Sequence, residues 1–341
     1  MVNATTLTTT VSWRPSRRMR IAGTLLVLTL VARTVCAQAL PHEDAVRVQE
    51  FYRLADVVSE SVWPGWSKTP GPLLLVTEQQ EFLFRFPSPP AEFKKSADGT
   101  YARPRKFPTT LLATFPAFGP PAVIVVGEPQ ATEAKSSSRW LLTMMHEHFH
   151  QLQYAQAGYY DAVQALDLSH GDQSGMWILN YAFPYDRPDL NAAFETLKAA
   201  LIRAVNEPRE EQFRAAVRQY KNERVAFVKL LSAEQARYLD FQLWQEGIAR
   251  YVEIDVARAA QDFRATEEFT KLPDYTSLAE LFKARRSETV NELSKASLKD
   301  WKRVVVYSWG ASEGLLLERL DPHWKATYFQ YPLSMRHYWS E

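Results

Sequence analysis

Ala122-Val123-Ile124-Val125-Val126-Gly127 and, nine residues on, Ser136-Ser137-Ser138-Arg139-Trp140-Leu141-Leu142-Thr143-Met144-Met145-His146-Glu147-His148-Phe149-His150 mark where the chain changes character. The first stretch is a β-branched run closed by glycine, the pattern of a strand. The second opens on serines whose hydroxyls can cap a helix, carries large apolar residues on its faces, and meets a glycine stop at Gly158. Upstream, His42 to Val62 has helical periodicity, and short β-like runs follow at Leu73–Thr77, Phe82–Phe86 and Thr109–Phe115, separated by proline and glycine. Downstream of Ser136 nearly everything reads as helix, apart from the Gly/Pro/Asp-containing stretch Ser169–Pro188. The expected fold is therefore α+β: a small antiparallel sheet in an N-terminal lobe of about residues 40–160, and a mostly helical lobe over about residues 161–341. With no repeat and no Gly/Ser linker, one unit over 40–341 is the expectation.

Residues 1–39 read as an export signal. A basic stretch from Arg14 to Arg20 precedes the apolar run Ile21–Ala32, and Ala37-Gln38-Ala39 supplies the small residues of a cleavage site after Ala39. That apolar run is too short to span a bilayer, and nothing after Ala39 is long enough either, so no membrane span is expected after cleavage. Without the five leader arginines, 35 basic and 39 acidic side chains remain, a net charge of about −4. A mildly acidic body argues against nucleic acid as a partner, which requires a basic field. The only cysteine, Cys36, lies in the leader. The mature chain accordingly has neither disulfides, nor a thiol nucleophile, nor a cysteine-bound metal. The expected destination is the periplasm or the exterior.

Three of the seven histidines fall within Met145–His150, and His146-Glu147-x-x-His150 has the spacing of the H-E-x-x-H zinc motif. Residues i and i+4 share a helix face, so two imidazoles can converge on one Zn2+ ion, and the glutamate beside the first can take a proton from water there. A catalytic zinc site keeps three protein ligands. The third is sought in Leu243-Trp244-Gln245-Glu246-Gly247-Ile248-Ala249-Arg250-Tyr251-Val252-Glu253, on a helix that Ser232 and Gln235 can open as a capping box. Glycine inside such a helix costs about 1 kcal/mol relative to alanine. Tight packing of the Glu246 helix on the histidine helix, through Gly247 and Ala249, is a reason to accept that cost.

Taken together, His146-Glu147-x-x-His150 and the downstream Trp244-x-x-Glu246-Gly247-x-Ala249-x-Tyr251-x-Glu253 resemble the gluzincin zinc metallopeptidases of the thermolysin-like superfamily, and within them the peptidase-MA-like group. The resemblance covers roughly residues 120–255. It implies His146, His150 and Glu246 as zinc ligands, Glu147 as general base, and a peptide or protein as substrate. The chain departs from the pattern in the 95 residues between His150 and Glu246, and in Arg250, which stands where an acid that orients a ligand histidine is expected. Glu253 or a backbone carbonyl is left for that task.

Other residues have narrower expectations. His148, two positions from His146, points to the other side of the helix and reads as structural or as support for the ligands. His170 begins a glycine-hinged loop that either lines the cleft or merely caps a helix. Tyr307, in a stretch similar to a tyrosine-bearing helix start of peptidase-MA-like proteins, is the candidate oxyanion donor, with His323 the weaker rival. The run Ala122–Val126 is either an edge strand for an extended peptide or an interior strand. Endopeptidase action is favoured slightly, because the Gly-x-Met-Glu-Asn sequence of gluzincin aminopeptidases is missing. Two alternatives stay open: an exported, non-catalytic binding or scaffold protein on the same fold, and a zinc hydrolase acting on another amide.

Overall fold

The computed structural model describes residues 39–96, 98–172 and 174–340. The leader read over residues 1–39 lies outside them, Ala39 apart. The chain enters through α1 (His42–Val62), with the bounds that its periodicity predicts. Six strands follow: β1 (Leu73–Val76), β2 (Gln80–Phe84), β3 (Lys94–Lys95), β4 (Tyr101–Pro104), β5 (Leu112–Phe115) and β6 (Val123–Gly127). They form one sheet in the order β3-β4-β2-β1-β6-β5. Its pairings are antiparallel except β1 with β6, which run parallel at the centre, with the four intervening strands outside the pair: β2, β4 and β3 beyond β1, and β5 beyond β6. β3 and β4 carry no alternating apolar signal, only lysines, an arginine and a proline around Tyr101 and Ala102, and so escape a reading by pattern.

Strand periodicity of two divides the core. Leu73, Leu75, Ile124 and Val126 face the helices, whereas Leu74, Val76, Val123 and Val125 face a second cluster with Leu83 and Phe93. Both faces of β1 and β6 are covered, which is why those strands are continuous apolar runs.

α2 (Ser137–Tyr154) lies on the helical side, capped by Ser136, whose hydroxyl accepts the Arg139 N–H at 3.4 Å. It ends at Tyr154, one turn before the expected glycine stop. Side chains tie it to the sheet: Trp140 Nε1 donates to Gly127 O at 3.0 Å, and Gln151 Nε2 donates to Pro72 O and Ala122 O at 2.9 Å each. The remaining fold is helical. α3 (Tyr159–Ala165) and α4 (Trp177–Asn180) are short, the latter inside the stretch that reads as loop. α5 (Pro188–Asn206) packs on α6 (Glu210–Lys229). α7 (Ala233–Gln242), opened by the Ser232–Gln235 capping box, continues through a π turn at Leu243–Gly247 into α8 (Ile248–Ala259). Then come α9 (Glu267–Thr270), α10 (Leu278–Lys295), α11 (Leu298–Trp301), α12 (Val305–Leu320), α13 (Lys325–Tyr328) and α14 (Arg336–Trp339). α8 is central, packed against α1, α2, α10 and α12. No described helix is long and apolar enough to cross a membrane.

Candidate metal centre

His146, Glu147 and His150 are buried on α2 and form a group able to hold a metal ion. The two imidazole rings lie edge to face with centroids 4.8 Å apart. Glu246 arrives from the π turn: its Oε2 is 3.7 Å from His146 Nε2 and 3.6 Å from His150 Nε2. A π turn leaves backbone carbonyls without regular partners. Gln153 takes up two of them, its Nε2 donating to Trp244 O and Gln245 O at 3.2 Å each, while Tyr328 Oη donates to Trp244 O at 2.6 Å. The same Gln153 accepts from His150 Nδ1 at 2.7 Å. One side chain thus sets both the ring of His150 and the turn that carries Glu246.

The close packing expected of Gly247 is present, but its partner is α12 rather than α2. A Cβ on Gly247 would stand 2.7 Å from Gly310 Cα and 2.9 Å from Val306 O. Backbone contact at this point brings the first turn of α12, with Tyr307, against the Glu246 turn.

The other nitrogen of His146 answers the question left by Arg250. Nδ1 donates to Glu253 Oε1 at 2.9 Å, and the second oxygen of Glu253 is held by Arg285 and by Arg250 Nη1 at 3.3 Å. Both histidines therefore have Nδ1 engaged and Nε2 turned toward Glu246. Burial pulls the His146 pKa down, but the carboxylates of Glu246 and Glu253 outweigh it and push it up to about 9. Burial likewise works against the Glu246 carboxylate, and the two imidazoles overcome it, holding its pKa well below the usual range.

Glu147 Oε2 accepts the Thr114 hydroxyl at 2.7 Å. Thr114 belongs to β5, the terminal strand of the sheet, whereas β6, which contains most of the Ala122–Val126 run, is interior. The open sheet edge beside α2 is β5.

Tyr307 stacks on His146, centroids 6.3 Å apart. Tyr154 stacks on His150 at 6.1 Å and 15°. Burial first, then the Glu246 carboxylate, raises both phenols above their usual pKa, so both remain O–H donors. Reading the sequence misses Tyr154, although its position four residues after His150 is the signal that places it on the same face. It also misses Gln153, at i+3 from His150, and Thr114, for which no local signal exists.

The remaining expected residues lie elsewhere. His148 is buried on the far side of α2 beside Phe51 and Trp66, its Nδ1 paired with Gln151 Oε1 at 2.9 Å. Burial lowers its pKa to about 4, leaving it a neutral core residue. His170 is exposed and meets Glu234 at 2.9 Å, and His323 is exposed.

The chain matches no protein-family model, no curated protein and no solved structure.

Proposed function

We propose that the chain is an exported zinc-dependent metallopeptidase of the gluzincin kind, with His146, His150 and Glu246 as zinc ligands and Glu147 as general base. The observation that carries this reading is the convergence of Glu246 Oε2 on both histidine Nε2 atoms across 95 intervening residues. Four-coordinate zinc with bonds of ~2.0–2.1 Å sets its ligand atoms about 3.4 Å apart. The observed 3.6 and 3.7 Å fit that size. Nitrogen donors from two imidazoles with one carboxylate also suit zinc better than calcium or magnesium, which take all-oxygen sites.

When bound, zinc supplies Lewis acidity, which lowers the pKa of water and polarises a carbonyl. Every other part of the chemistry falls to this chain. Glu147, steadied by Thr114, accepts the proton of the attacking water and passes it to the leaving amine. Tyr307 and Tyr154, kept protonated, donate O–H groups to the oxyanion that grows on the scissile carbonyl. Glu253, clamped by Arg285, fixes the His146 ring through Nδ1 so that Nε2 faces the place the ion would take. The open edge of β5, whose Thr114 touches Glu147, offers backbone groups to an extended peptide.

The test is zinc stoichiometry of purified residues 40–341, for the unmodified chain, Glu246→Gln and Glu147→Gln, beside cleavage of a quenched peptide library. The expected result is one zinc per chain, weakened by Glu246→Gln and retained in Glu147→Gln, with cleavage lost in Glu147→Gln. Absence of zinc from the unmodified chain, or cleavage that survives Glu147→Gln, would leave a binding or scaffold protein as the better reading.

A further inference from the structure

Of four arginines around the site, three share the carboxylates of Glu288 and Glu253, although Arg250 Nε is left without a partner. Arg139 pairs with both oxygens of Glu288, Arg285 with Glu253, and Arg250 Nη1 reaches Glu253 Oε2 at 3.3 Å. Arg303 is different. Its Nη1 donates to two neutral oxygens, Gln242 Oε1 at 3.3 Å and Tyr307 Oη at 3.4 Å, and stops 3.8 Å short of Glu246 Oε1. Glu246 is also the carboxylate aimed at the two histidines, so its charge is shared with whatever cation binds there. Nε and Nη2 of Arg303 make no hydrogen bond to a described residue, and neither is sealed from solvent. The side chain is nonetheless only 19% exposed. A guanidinium withdrawn this far from water needs a counter-ion, and none of the described residues provides one at hydrogen-bond distance.

Its position is set by backbone, not by a flexible tail. Arg303 lies one turn before Tyr307, and the Gly247–Gly310 contact presses α12 onto the Glu246 turn. The Tyr307 ring lies beneath the Arg303 guanidinium, 5.5 Å from ring centre to Cζ, and stacks on His146 on its own account. The N–H groups that no described residue engages are thereby held one aromatic ring away from a histidine of the candidate metal centre.

We propose that Arg303 anchors a carboxylate of the substrate, making it a specificity-determining residue. The inference rests on the peptidase reading and deepens it. Planar N–H donors in a fixed fork match a carboxylate in two-point contact, a geometry that an amide carbonyl cannot fill. A peptide has two sources of that group: its C-terminal carboxylate, or an aspartate or glutamate side chain near the scissile bond. The favoured substrates accordingly carry a negative charge close to the bond cleaved.

The test uses three probes: acetyl-Ala-Ala-Ala as the free acid, the same peptide as its C-terminal amide, and acetyl-Ala-Glu-Ala amide. Binding is measured by calorimetry on zinc-loaded Glu147→Gln protein, with and without Arg303→Gln or Arg303→Lys, and cleavage of quenched versions is followed with Glu147 intact. The free acid, the glutamate peptide or both are expected to bind at least about tenfold more tightly than the neutral amide. Which of the two does so identifies the source. The preference should fall to about one in Arg303→Gln and be partly kept in Arg303→Lys, whose zinc content and melting temperature report on its folding. A preference of one with Arg303 present, or a preference that survives Arg303→Gln, overturns the anchor. If neutral and acidic peptides are cleaved equally, the anchor falls while the peptidase reading stands. If the Arg303-dependent preference appears but no peptide is cleaved, the anchor stands and the peptidase reading falls.

Discussion

Two buried clusters of charge lie beside α12, and they are built to opposite rules. In the first, Arg224 Nε donates to Glu313 Oε1 at 2.7 Å and Nη2 to Asp240 Oδ1 at 3.3 Å, while Tyr220 also donates to Glu313 and Arg336 to Asp240. Each ion meets an opposite charge at hydrogen-bond distance. In the second, around Glu246, the nearest nitrogens stand at 3.6, 3.7 and 3.8 Å, none within hydrogen-bond reach. Similar residue types thus yield a closed cluster of ion pairs that joins α6, α7 and α12, and an open one whose charges stay beyond hydrogen-bond reach of each other. Every ion of the first cluster has an opposite charge within hydrogen-bond reach, although Glu313 Oε2 itself is unpartnered, which suits a structural role; around Glu246 no such contact is made, which suits the metal site proposed above.

Breaking each cluster should therefore produce different losses. The largest effect is expected in the open cluster: Glu147→Gln lowers peptide cleavage by about 10²–10⁴-fold, read as kcat/KM on a quenched peptide, with zinc content unchanged. In the closed cluster, Arg224→Met leaves Glu313 without a cation, while Asp240 keeps Arg336, and lowers unfolding stability by about 3–5 kcal/mol. Urea denaturation measures this, and zinc per folded chain should not move; loss of zinc would erase the distinction between the clusters. Glu253→Gln sharpens it, because Glu253 touches the proposed ligand His146 through Nδ1, away from the place the ion would take. Zinc affinity should fall about 10–100-fold in chelator competition. The smallest effect belongs to Thr114→Val, which frees the Glu147 carboxylate and lowers kcat roughly tenfold, with zinc binding intact. A Thr114→Val protein as inactive as Glu147→Gln would mean that the hydroxyl does more than steady the base.

Much of this was legible beforehand. The bounds of α1, the Ser136 cap, the Ser232–Gln235 capping box and the shared face of His146 and His150 all follow from side-chain chemistry acting over three or four residues. Glu246 also stood out, as an acid before a glycine in a strong helix. Its environment did not: the π turn and the Gly247–Gly310 contact leave no periodic trace, because both are consequences of how α12 seats against α7 and α8. His148 shows the same division. Its sequence position predicts the opposite side of α2, but only the packing of Phe51 and Trp66 around it lowers its pKa.

By itself, then, the sequence determined the α+β order of elements, the helix that presents two imidazoles and a glutamate, and the absence of any cysteine after Cys36. Tertiary structure decided what those groups meet. Glu246 comes to His150 from 96 residues away, Glu253 to His146 from 107, and Thr114 to Glu147 from 33. Helical spacing is enforced by bonds between near neighbours, whereas these approaches depend on which surfaces of distant helices and strands fit together, a property of the packed whole.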